Sequence, residues 1–245
     1  MAERRIRERC YMCESESNSD EHVPPRGIFP DVNALMSLGI QGVDLRVNLL
    51  TVPSCAVHNM ATSRDDEYFM YILAMNHATN GTGEIQLLTR IRSAYERRPA
   101  LMQSILSNSQ PAIISDGTEV FNTRAVQVDT GRLTRELDKI ARAIYFSNTG
   151  NRWFGNTFPI IEFMEFIEPQ QEEARRSYAR YRGLAQLGTS GLQRHGSNPD
   201  VFWYSVVERG EGEDRIVLLR LCFYGGAYVS IVLFNSLPQQ RTGND

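Results

Sequence analysis

Two short pairs of metal-ligand residues, far apart in the chain, constrain its fold more than anything else in the sequence. Cys10-x2-Cys13 and Cys55-x2-His58 are separated by 41 residues. Together they offer four soft or borderline ligands, the set that a closed tetrahedral zinc site uses. They take three of the four cysteines and one of the four histidines, so coincidence or a redox-active thiol pair is the weaker reading. A zinc ion with four protein ligands has no open position, which makes its expected role structural. The fourth cysteine, Cys222, sits in an apolar strand pattern where a buried thiol is ordinary. Nothing in these spacings resembles a disulfide framework.

Inside the loop that such a zinc would close lies Glu21-His22-Val23-Pro24-Pro25. His22 is not needed as a zinc ligand, and an imidazole with an ordinary pKa near 6.5 can take a proton from water close to neutral pH. Glu21 and Asn59 offer hard oxygen donors, which suit Mg2+ or Mn2+ better than zinc. One divalent ion held there would stabilise a scissile phosphate while His22 activates water. The plainer alternative is a loop histidine beside a solvated carboxylate.

Along the chain, residues 1–9 form a basic arm (Arg4, Arg5, Arg7, Arg9) leading into the first knuckle. Residues 31–42 predict one or two helical turns. Val43, Leu45, Val47 and Leu49 alternate with Asp44, Arg46 and Asn48, which predicts a half-buried strand ended by Pro53. A helix is predicted from Asn59 or Thr62-Ser63 to about Asn76, with Asp65, Asp66 and Glu67 suiting its positive end. Strand, knuckle and helix in that order fit a strand–strand–helix metal fold.

Gly81 to Gly83 read as a boundary between a module at residues 1–80 and an accessory region at 81–245. Helices are predicted over 84–96, from Pro99 to Leu106, and most clearly over 130–146, where Leu133, Leu137, Ile140, Ala141 and Ile144 recur at helical spacing. Two short strands flank Asp116-Gly117. Residues 169–182 read as an arginine-rich helix face and residues 183–199 as a linker. Strands at 201–207, 216–224 and 227–234 complete an antiparallel meander. The fold class is therefore α+β, a zinc module followed by a mixed region ending in three antiparallel strands.

The motif string Cys10-x2-Cys13, Glu21-His22-Val23-Pro24-Pro25 and Val52-Pro53-Ser54-Cys55-x2-His58-Asn59 resembles the HNH endonuclease family with its ββα-metal fold. The resemblance covers about residues 8–76. It implies phosphodiester hydrolysis, with His22 as general base and Glu21 and Asn59 on the catalytic ion. It also implies a middle asparagine before the second knuckle. Leu50 occupies the usual spot, and Asn48 is the nearest candidate. His58 stands where the family more often has cysteine, and Asn59 where it often has histidine.

With 42% hydrophobic and 22% charged residues, the chain has the composition of a soluble globular protein. Its net charge of −3 rules out a general basic coat, so nucleic acid must be met by a local patch. All basic residues but Lys139 are arginine, and guanidinium forks suit phosphate oxygens. Arg26, Arg46 and Arg64 are the candidate contacts. No signal peptide or run of about 18 apolar residues is evident, so the expected location is cytoplasmic. The expected partner is DNA, with a homodimer or partner protein engaging the C-terminal region. The competing expectation is a catalytically silent zinc-stabilised module that binds nucleic acid or protein.

Overall fold

The computed structural model describes residues 9–60, 63–97, 99–115, 118–164 and 172–235. The basic arm before Arg9 and the Asp116-Gly117 turn lie outside the described residues. The first strand, β1 (Ser19–Val23), pairs antiparallel with β2 (Leu50–Ser54), placing Glu21 opposite Val52 and His22 opposite Thr51. The two-residue period sets Glu21 and Val23 towards the interior and Asp20 and His22 towards solvent. Between the strands runs a short helix, α1 (Val32–Ser37), capped by Asp31, whose carboxylate accepts from the Ala34 amide at 2.8 Å.

The strand expected over 43–49 is instead a series of turns. Gly42 and Asn48 both have positive φ, at 73° and 54°, and the Asp44 carboxylate accepts from the Arg46 amide at 2.8 Å, a local bond that competes with strand pairing. Val43 and Val47 are exposed. Only Leu45 and Leu49 of the alternating set pack against the core, so the alternation marks no continuous strand face. The strand starts later and carries Pro53 inside it. Two strands alone leave each with an open edge, which tolerates proline.

Beyond β2 come α2 (Ala56–Met60) and α3 (Ser63–Ala74). Gly81, expected at a boundary, opens α4 (Gly81–Arg97), followed by α5 (Pro99–Leu106). The hairpin β3 (Gln110–Ser115) and β4 (Val120–Ala125) follows. Then α6 (Thr130–Thr149) runs from an Asp129 cap to Gly150, whose left-handed φ of 71° closes the helix. The buried face of α6 packs against α3, β1 and β2 on one side and β5 and β9 on the other.

The C-terminal sheet is larger than the predicted meander. β7 (Phe202–Arg209), β8 (Ile216–Phe223) and β9 (Ala227–Phe234) are antiparallel neighbours, as expected. β5 (Asn156–Ile161) adds to one edge and β6 (His195–Asn198) to the other, giving a five-stranded order β5-β9-β8-β7-β6. The stretch read as a linker is mostly ordered into elements: α7 (Glu172–Thr189) reaches well into it, and β6 lies at its end. Residues from Cys10 to Leu233 join one hydrophobic cluster. Among the described residues no helix is long and apolar enough to cross a membrane.

Candidate active site

The two knuckles meet because backbone bonds hold them to one hairpin. The Tyr11 amide donates to the Pro53 carbonyl at 2.9 Å, so the first knuckle is tied to β2. Cys55 sits at the junction of β2 and α2, and its carbonyl accepts from the amides of His58 and Asn59. The ligand atoms of Cys10, Cys13, Cys55 and His58 all lie within 4.8 Å of one another, a group close enough to hold a metal ion. Its edges suit zinc. Tetrahedral bonds of about 2.3 Å to sulfur and 2.05 Å to nitrogen require S···S edges of about 3.8 Å and S···N edges of about 3.6 Å. The observed Cys13–Cys55 edge is 3.9 Å, Cys10–His58 is 3.5 Å and Cys55–His58 is 3.3 Å, both through Nδ1. Burial raises the Cys10 pKa, and the Met12 amide, 3.4 Å from its sulfur, pulls against that. Hydrogen bonds from Ser15 lower the Cys13 pKa.

Beside this centre opens a cleft of about 440 Å³, lined by Asp20, Glu21, His22, Arg26, Asn59, Asp66, Glu67 and Arg90 among others. His22 has no hydrogen-bond partner among the described residues. Burial first, and then the positive charge of Arg26, lower its pKa from the ordinary value, against the pull of Asp20. The imidazole is thus biased to be neutral at neutral pH, the form that accepts a proton.

Glu21 is far from the solvated carboxylate of the plainer alternative. It is buried, with Oε1 2.7 Å from the Lys139 ammonium and Oε2 accepting from the Tyr11 hydroxyl at 3.1 Å and Ser54 at 3.2 Å. Lys139 comes from α6 and also lies 3.4 Å from Glu136 and 3.6 Å from Asp66. Three carboxylates therefore share one ammonium. Burial raises the pKa of both Asp66 and Glu136, the latter to about 8, although Lys139 pulls each back. Their nearness lets the two hold one proton between them.

The hard-donor set expected for a catalytic ion is present in kind. Asn59 donates through Nδ2 to Ser19 at 2.7 Å, leaving its carbonyl oxygen without a partner among the described residues. A carboxylate has about four lone-pair positions, so Glu21 keeps one beyond its three bonds. Both residues line the cleft that holds His22. Lys139 is the counterweight, because a second positive charge beside Glu21 lowers its affinity for a cation.

The remaining predicted contacts are scattered. Arg26 is exposed on the cleft wall. Arg46 is largely covered, donating from Nε to the Phe29 carbonyl at 3.0 Å and lying 3.8 Å from Asp31. Arg64 is exposed on α3, its carbonyl held by Arg132. Asn48 lies in a different groove of about 210 Å³, with Leu50, Ser197, Phe202 and Tyr204, and is not among the residues that line the His22 cleft. There its carbonyl accepts from Ser197 at 2.8 Å. Sequence reasoning missed Asp66 and Arg90 as residues that line the cleft and Lys139 as the partner of Glu21. One signal pointed to Lys139: it is the chain's single lysine, within a helix of clear apolar periodicity.

Comparison with protein-family models, with curated proteins and with solved structures finds no match.

Proposed function

We propose that this chain is a metal-dependent endonuclease that hydrolyses phosphodiester bonds, of DNA in the first instance. The observation that carries the reading is His22: an unpartnered imidazole, biased to neutrality, in a cleft lined by both oxygen donors and guanidinium groups. In this reading His22 takes the proton from the attacking water. Glu21 and Asn59 hold Mg2+ or Mn2+, which would supply charge stabilisation at the phosphate and the leaving oxygen. The Cys3His centre binds zinc for structure and leaves the chemistry to the cleft. The order of knuckle, strand, strand and helix, together with the Glu21-His22 and His58-Asn59 pairs, supports the HNH resemblance.

One observation favours the second reading, a zinc-stabilised binding module without cleavage. Glu21 already neutralises Lys139 at 2.7 Å, so it serves the fold whether or not an ion binds. A plasmid assay separates the two. Purified protein is expected to nick or linearise supercoiled plasmid with Mg2+ or Mn2+ and not without them, while His22→Ala loses the activity by a factor of 100 or so. Equal rates for parent and His22→Ala would sink the mechanism.

A further inference from the structure

The cationic wall of the cleft contains a residue from outside the zinc module. Arg90 lies on α4, near the middle of a helix that contributes no knuckle and no strand to that module. One turn earlier on the same helix, the buried Gln86 donates from Nε2 to the Gly27 carbonyl at 2.5 Å. Residues four apart share a helix face, so the bond that docks α4 against the 26–28 turn also turns Arg90 into the cleft beside Arg26 and His22. Arg46 stands behind them. It feels both neighbours, since after burial the positive charges of Arg90 and Arg26 help to depress its pKa.

The arginines of this cluster are only loosely paired. Asp31 is shared by Arg90 at 3.4 Å and Arg46 at 3.8 Å, both through the single oxygen Oδ2. Its other oxygen, Oδ1, caps α1. Neither arginine therefore has the short, two-pronged pairing that guanidinium makes with a well-placed carboxylate. Arg26 has no carboxylate partner among the described residues. Arg26 and Arg90 are thus two guanidinium groups not held in tight ion pairs, in a cleft that Asp20, Glu21, Asp66 and Glu67 also line. Two of those four carboxylates, Glu21 and Asp66, are drawn back onto Lys139.

We propose that Arg90 and Arg26 form a backbone-phosphate subsite for nucleic acid, with Arg46 fixing the field behind them, so that the accessory region supplies part of the substrate contact. The proposal rests on the phosphodiester reading of the cleft. It commits to the polymer as ligand, because the two loosely paired guanidinium groups line the same cleft as the proposed base.

The test uses the full chain and a fluorescein-labelled 20-mer DNA duplex, with binding read by anisotropy in buffer without added divalent ion. Affinity is measured across a salt series. Arg90→Ala is expected to weaken binding about tenfold and to lower the slope of log affinity against log salt by about 0.9, the value of one phosphate contact. Arg90→Lys should recover most of the slope. Arg176→Ala, on the outer face of α7 and paired with Glu172 at 3.0 Å, should change neither quantity. Thermal melting of each variant checks that the fold is intact.

No binding of the duplex by the parent protein at low salt overturns the subsite. So does an Arg90→Ala variant with the parent's affinity and slope, or one that loses affinity at unchanged slope, since a merely structural role would do the latter. Competition by inorganic phosphate at the same concentration of phosphate groups as the duplex would assign the site to small anions and also overturn it. Binding that depends on Arg90 without any plasmid cleavage leaves the subsite standing and removes the nuclease reading. Cleavage with an indifferent Arg90 does the reverse.

Discussion

Lys139 shows how much one side chain can decide. Its ammonium and the Glu21 carboxylate are both about 10% exposed, so each is a charge that could not sit there alone. Removing one partner of a buried pair typically costs about 3–5 kcal/mol, because the other stays desolvated. Lys139→Met is therefore expected to lower unfolding free energy by about that amount in urea titrations. A loss below about 1 kcal/mol would mean that the pair behaves like an exposed one. The residue was readable in the sequence as an oddity, the one lysine among arginines, and Glu136 three positions before it is a neighbour by helical spacing. Glu21 and Asp66 lie on two other elements, and no spacing rule links them to it.

At the scale of elements, the Cys3His knuckles were legible because metal-ligand chemistry demands particular residues at short, fixed separations. The long amphipathic helix α6 was legible for a similar reason: a buried stripe must repeat at the helical period. The strand over 43–49 was misread because alternation alone does not require burial. Left-handed backbone at Gly42 and Asn48 and the Asp44 turn carry the same pattern in a run of turns that buries Leu45 and Leu49 only in part. That error also moved Asn48 onto a strand face it does not occupy. β5 escaped notice as a short run with Pro159 inside it, and its place is given only by pairing with β9. The knuckles also carry a prediction. Purified protein should hold about one equivalent of zinc by metal analysis, and Cys10→Ser or Cys55→Ser should lose both the metal and several degrees of melting temperature. Unchanged zinc content in either variant would refute a Cys3His site.

For the whole molecule, the zinc module and the region after it share their interior. Phe69 on α3 packs edge-on against Phe223 on β8, with ring centres 5.4 Å apart. The Tyr224 hydroxyl donates to the Ile28 carbonyl, and the Asn80 amide donates to the Tyr224 carbonyl at 2.8 Å. At Gly226 an added Cβ would come within 1.8 Å of the Ala78 carbonyl oxygen, so the turn between β8 and β9 is pressed against the loop before α4. Residues 1–80 produced alone are thus expected to lack a cooperative thermal transition even with zinc, because α3 would expose the face that Phe69 and Leu73 bury. A sharp, zinc-dependent melt of that fragment, followed by circular dichroism, would show the module to be self-sufficient.

The Lys139–Glu21 contact also has a consequence in time. A ribosome delivers Glu21 long before it delivers Lys139, and the knuckle ligands are complete by His58. A nascent chain can therefore bring its four knuckle ligands together while Glu21 still lacks its buried ammonium and β1 and β2 still lack the α6 helix packed on them. The finished cleft belongs to the finished chain, so a truncated translation product would carry the motifs without the pocket that they serve.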